Sequence, residues 1–148
     1  MDVRQLADGL WRWTAGDAAC VYYEAPDAVV LVDPLLPAGE EERFLAYLDR
    51  DVERIGLPVS ILLTDARHAR SAAFLRERYG ADDRVPDTVE AYSVEGDRSA
   101  FFIRPHRALV VPTLERLPAG IAELPVELVL VSSPAPARVP ADRGSSAR

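Results

Sequence analysis

The apolar and polar positions of this chain change period twice. In residues 9–14, Leu10 and Arg12 alternate with Trp11 and Trp13, the two-residue repeat of a strand. Gly16-Asp17 marks a turn. Residues 19–24 are rich in strand formers and predict a second strand. Ala28-Val29-Val30-Leu31-Val32 is apolar throughout, the pattern of a strand covered on both faces. It ends at Asp33-Pro34, where proline stops the ladder. Segments this close in sequence predict an antiparallel meander.

The period then becomes helical. Phe44, Leu45, Leu48, Val52 and Ile55 share one face and predict a helix over residues 40–55. Glu40, Glu41 and Glu42 stand where the helix dipole favours anions, and Gly56 follows as a C-cap. Residues 58–64 predict a buried strand, and 65–70 a polar loop. Ser71 is then expected to cap a helix whose inner face is Phe74, Leu75 and Tyr79. Strand, helix, strand, loop, helix is α/β wiring.

Beyond Gly80 the elements shorten. Residues 89–94 predict a strand, 95–98 a turn, and 99–104 with 108–111 a hairpin around Pro105-His106-Arg107. A short helix is expected within 113–124, limited by Pro118, and a last buried strand at 127–131. The expected organisation is one domain over residues 1–133 and a Pro/Ala/Arg/Ser tail over 134–148.

Composition narrows the function classes. A chain of 148 residues, 49% hydrophobic and 28% charged, suits one folded core rather than a disordered segment. No apolar run is long enough to span a bilayer, so no membrane partner is expected. Met1-Asp2-Val3-Arg4-Gln5 lacks a signal-peptide pattern, which sets a cytoplasmic expectation. A net charge of −7 suits nucleic acid poorly, although the 17 cations are all arginine. The single cysteine, Cys20, excludes an internal disulfide and a cysteine-built zinc site; within Cys20-Val21-Tyr22-Tyr23 it reads as a buried, inert thiol.

The densest chemistry lies at the second strand-to-helix junction. Residues 62–71 place Asp65, Arg67, His68 and Arg70 where strand ends and helix starts converge, the usual address of sites in open α/β sheets. A metal or anion site and a plain solvated loop are both open readings.

The order of these segments resembles the metallo-β-lactamase superfamily over roughly residues 3–135. Gly9-Leu10-Trp11-Arg12, Val21-Tyr22-Tyr23 and residues 29–32 ending in Asp33-Pro34 are similar to that fold's opening sheet and acidic turn. Ile61-Leu62-Leu63-Thr64 resembles the strand that delivers its zinc motif, and Arg76-Glu77-Arg78-Tyr79-Gly80-Ala81 the helix end behind it. Ala108-Leu109-Val110-Val111 and residues 126–131 resemble later core strands. The resemblance implies an α/β, metallo-β-lactamase-like αββα sandwich, truncated, with mixed and antiparallel sheets and flanking helices.

The family hallmark after that strand is Thr-His-x-His-x-Asp-His, whose imidazoles and carboxylate hold zinc and a water made nucleophilic. Without a gap, Asp65, Arg67, Ala69 and Arg70 occupy the four ligand positions. A one-residue shift puts Ala66 and His68 at the first two and brings Arg70-Ser71-Ala72 into register with a looser branch of the family. One ligand, His68, survives at best. The later histidines and the bridging aspartate have no counterpart: Val111 leads to Pro112-Thr113, and the last strand to Ser132-Ser133-Pro134. Asp33 is kept, as a group that supports the ligands. His106 sits between Pro105 and Arg107 and reads as a surface turn residue. Trp11 and Trp13 read as sheet packing. No nucleophile elbow or phosphate loop is present.

The resulting expectation is a degenerate member with no catalytic residues, no metal and no cofactor, serving as a binding or partner-associating module for an unidentified small molecule or protein. One alternative is a zinc hydrolase of esters, thioesters or lactones with a reduced site at His68, Asp65 and Asp33. Another is an anion-binding domain using Arg67 and Arg70. A homodimer is a further expectation, since a shortened fold can leave an edge that a second copy covers.

Overall fold

Gly9 and Gly16, at φ 77° and 62°, make the left-handed turns that fold the first residues into a meander. Strands β1 (Val3–Ala7), β2 (Leu10–Ala15), β3 (Ala18–Glu24) and β4 (Val29–Val32) pair antiparallel in succession. Helix α1 (Glu41–Ile55) then carries the chain back, so that β5 (Val59–Leu62) lies parallel to β4. A 3-10 turn (Ala66–Ser71) and α2 (Ala72–Tyr79) follow. The second sheet holds β6 (Val89–Ser93), β7 (Ser99–Ile103), β8 (Ala108–Val111) and, parallel to β8, β9 (Leu128–Val131). A single helical turn, α3 (Ala119–Ala122), precedes β9. This computed structural model describes residues 2–114, 117 and 119–132, apart from the side chains of His68 and Arg70. The tail expected at 134–148 lies outside the described residues. Among the described residues, no helix is long and apolar enough to cross a membrane.

Side-chain alternation builds the layers. In β4, Val30 and Val32 meet Val89, Phe101, Ile103 and Val110 of the second sheet. Val29 and Leu31 turn the other way, toward Phe44 and Leu48 of α1 and Leu75 of α2. This is why the run at 29–32 is apolar at every position. In β8, Ala108 and Val110 face the first sheet, while Leu109 and Val111 join Phe102, Val94 and Ile121 on the outer face. The layer order is helix, sheet, sheet, helix, the last layer thin.

Four features differ from the sequence reading. The meander begins with β1, one strand earlier than the alternation at 9–14 indicated, because an exposed edge strand is held by its ladder rather than by burial. Ser71 caps nothing: its Oγ accepts from the Leu36 N–H at 3.2 Å, and Asp65 caps the 3-10 turn instead. The inner face of α2 is Ala72 and Leu75 with Tyr79 partly buried, and Phe74 is 45% exposed. Helical spacing puts 72, 75 and 79 on one face and leaves 74 off it. Strand β9 is less buried than expected: Leu130 is buried on the inner face, while on the outer face Val131 is only partly buried and Val129 is 45% exposed.

Asp49 links the two large helices. Its carboxylate accepts from Arg78 Nε at 2.9 Å and from the Tyr79 hydroxyl at 2.6 Å. The Arg78 guanidinium, and after it the Tyr79 hydroxyl, hold the Asp49 carboxyl below its usual range. A native value below the unfolded one gives a contribution that is complete above about pH 3.9 and fades as pH falls through the lowered native value. Asp49→Asn is expected to cost under about 1 kcal/mol at neutral pH, because the pair is half exposed. Urea titrations at neutral and acid pH check this: the wild-type advantage must shrink in acid.

Candidate functional site

Strand directions bring one set of ends together. Parallel β4 and β5 finish side by side, at Asp33 and near Thr64. Antiparallel β3 begins at that end with Ala18 and Ala19. The Ser99 N–H donates to the Thr64 carbonyl at 2.8 Å, which brings the start of β7 there. Strand β8 therefore ends there, and so does β9, whose Ser132 N–H donates to the Val111 carbonyl at 2.9 Å. The Ala19 N–H closes a second link between the sheets, to the Ser132 carbonyl at 3.0 Å. This end of the sandwich is the mouth that the junction at 62–71 overlies.

Asp33 is its most constrained residue. It is fully buried, and its φ of 51° is left-handed, a conformation that aspartate tolerates better than most residues. Its N–H donates to the Leu62 carbonyl at 2.9 Å, which extends the β4–β5 ladder by one bond. Oδ1 accepts from the Thr64 N–H at 2.8 Å, and Oδ2 from the Thr64 hydroxyl at 2.5 Å. Thr64 is itself fully buried. The sequence reading missed Thr64 as the partner of Asp33; the signal was available only as an acid and a threonine that close two neighbouring parallel strands.

Asp65 follows directly, 9% exposed. Its Oδ1 accepts from the Arg67 N–H at 3.0 Å, the capping bond of the 3-10 turn. Its Oδ2 accepts from Arg67 Nε at 3.2 Å and Nη2 at 3.0 Å. A carboxylate so placed caps backbone and neutralises a guanidinium at once. Arg67 is thus already engaged by Asp65, although its side chain is 68% exposed. His68 and Arg70 lie on the 3-10 turn by backbone, and their side chains are outside the described residues.

The other sequence candidates lie elsewhere. His106 stands at the β7–β8 connection, the opposite end of the sandwich from Asp33 and Asp65. The five residues of β7 put about 13 Å between the two ends. His106 is half-buried rather than a free surface residue, its ring edge-on to Tyr23 at 5.6 Å between centroids. Cys20 is buried on the helix side, and burial, with the Asp33 charge adding to it, pushes its thiol up to about 12. It is protonated at neutral pH, as expected of an inert thiol. Among the described residues, no group of three or more histidine, cysteine, aspartate or glutamate side chains converges as a metal site would require.

These donors do not fit a zinc ion. The Asp33 and Asp65 oxygens accept protein hydrogen bonds, and a guanidinium lies 3.0 Å from Asp65 Oδ2, where a cation would meet repulsion on the order of kilocalories per mole. Away from the mouth, an open groove of about 450 Å³ runs between α1 and the outer face of β2 and β3. Trp11, Trp13, Tyr22, Phe44 and Tyr47 line it, with Glu40, Arg43 and Asp51 at its margin. Trp11 and Tyr22 meet edge-on at 5.5 Å. The sequence placed the two tryptophans on one face but not the helix that crosses them.

No protein-family profile matches this chain, and no curated protein does. Solved structures match it. The crystal structure of VMB-1 aligns with 76% of this chain and 68% of its own, at 8% identity and a TM-score of 0.53. The DIM-1 metallo-β-lactamase covers 74% and 67% at 7% identity and a TM-score of 0.42. A metallo-β-lactamase from Pontibacter korlensis covers 74% and 69% at 13% identity and a TM-score of 0.38. With two mixed sheets and few flanking helices, the chain has a shortened α/β fold of the metallo-β-lactamase type. At such identities the likeness is one of fold alone.

Proposed function

We propose that this domain is a degenerate metallo-β-lactamase fold that neither holds catalytic zinc nor hydrolyses substrates, and that serves as a binding or partner-associating module. One observation carries the reading. All four carboxylate oxygens of Asp33 and Asp65, the acids a reduced metal site would need, accept hydrogen bonds from Thr64 and Arg67. A cation at Asp65 would meet the Arg67 guanidinium, which already lies 3.0 Å from Oδ2, and Asp33 is fully buried with its carboxylate turned to Thr64. The sequence at the junction supports the same reading, with alanine or arginine at most of the ligand positions.

Elemental analysis after zinc loading and desalting tests it. Well under one zinc per chain is expected, with ester, thioester and lactone turnover at the buffer rate. Stoichiometric zinc that is lost on His68→Ala, together with metal-dependent turnover, would establish the hydrolase reading in its place. A phosphate-induced rise in melting temperature, abolished by the Arg67→Ala/Arg70→Ala double variant, would instead make the module an anion binder.

A further inference from the structure

Five large apolar side chains are exposed among the described residues, and two of them, Val3 and Tyr47, line the same aromatic groove. Val3 belongs to β1, the outer strand of the first sheet. The ladder with β2 fixes which backbone groups of β1 are used. The Asp2 carbonyl accepts from the Thr14 N–H at 3.1 Å, and the register sets Val3 opposite Trp13 and Arg4 opposite Arg12. Bonded and non-bonded pairs alternate in an antiparallel ladder. Asp2 with Thr14 is a bonded pair, so the N–H and C=O of Val3 point away from β2, off the sheet edge. The Val3 side chain lies on the groove side with Trp13, while Asp2 and Arg4 share the opposite face, 3.6 Å apart. Arg4 faces another cation, Arg12, across the ladder, a juxtaposition that a carboxylate on its open side would offset.

We propose that β1 pairs with β1 of a second copy of this chain, antiparallel about a two-fold axis at Val3. The sequence Asp2-Val3-Arg4 is self-complementary in that arrangement: each Asp2 comes opposite Arg4 of the partner subunit, and the four charges alternate around the axis. The two Val3 residues exchange the outward N–H and C=O groups that β2 leaves unused, which is how an exposed edge strand is satisfied by a second chain. Their side chains meet on the groove side and extend its apolar floor from one copy into the next. The contact is isologous, so it closes at two copies. It joins the two five-stranded sheets into one continuous sheet.

Sedimentation equilibrium of the full chain over a range of concentrations tests the proposal. A concentration-dependent dimer is expected. Val3→Pro removes the outward N–H and leaves the β1–β2 bonds intact, and should weaken the dimer by about tenfold or more. Asp2→Arg and Arg4→Asp each set like charges opposite one another, and each should weaken it several-fold. The double exchange restores the alternation and should restore the dimer. Both positions are half exposed or more, so these variants test the contact even if the proline variant fails to fold. A chain that stays monomeric at every concentration overturns the proposal. So does a dimer that is indifferent to the single exchanges, or one that the double exchange does not rescue.

Discussion

Trp13→Ala is expected to cost about 4 kcal/mol, the range seen when a buried tryptophan is cut to a methyl group. Trp13 is 3% exposed in the middle of the helix-facing core. Its ring packs on Phe44 with centroids 4.9 Å apart, so it joins β2 to α1. Its Nε1–H donates to the Leu35 carbonyl at 3.0 Å, which ties down the segment that leaves Asp33. Truncation opens a cavity and orphans that carbonyl together. For a domain of this size, with a total stability of roughly 5–15 kcal/mol, the loss should lower the melting temperature by about 10 °C or more. Trp13→Phe keeps a ring against Phe44 and gives up the hydrogen bond and part of the volume, so about 1–2 kcal/mol is expected. Urea unfolding measures both. A cost below about 1 kcal/mol for the alanine variant, at unchanged slope, would show that α1 does not rest on this ring.

Asp33→Ala should cost nearly as much, about 3–4 kcal/mol, for a different reason. The carboxylate satisfies the N–H and the hydroxyl of buried Thr64, and its loss leaves two buried donors without that acceptor. Alanine also fits φ 51° worse than aspartate does, which adds about 1 kcal/mol. Asp33→Gly removes the same bonds without that strain and should be the milder of the two. Asp33→Asn keeps an acceptor and tolerates the backbone, and should be the mildest. Equal costs for alanine and glycine would remove the strain argument. Small costs for all three would mean that Asp33 does not hold the mouth together, and would reopen it as a group held in reserve for a ligand.

Much of the scaffold was legible because its signals are local. The alternation at Leu10, Trp11, Arg12 and Trp13, the unbroken run at 29–32 and the helical stripe from Phe44 to Ile55 each encode which faces are covered. Strand β1 escaped because an edge strand needs little burial. Phe74 was misplaced because Phe74 and Leu75 stand about 100° apart on a helix, and only packing decides which of the two turns inward. The helix stop at Gly56 was readable, since a left-handed residue there, at φ 70°, favours glycine.

The candidate site was legible as a place and not as an arrangement. Asp33, Asp65 and Arg67 could be singled out by type and position, but not the bonds that occupy them. Asp33 and Thr64 are 31 positions apart and meet because β4 and β5 run parallel in one register. His106 and the junction at 62–71 are separated by the same topology, which puts them at opposite ends of β7. The sequence by itself determined the order of elements from β2 onward, the apolar setting of Cys20 and the thin donor set at the junction, because periodicity and residue type are properties of the chain. Only the tertiary structure decided that the remaining acids are spent on Thr64 and Arg67, that Ser71 bonds Leu36 rather than a helix start, and that Val3 and Tyr47 border one groove. Those facts depend on which strand ends meet, and no local period records that.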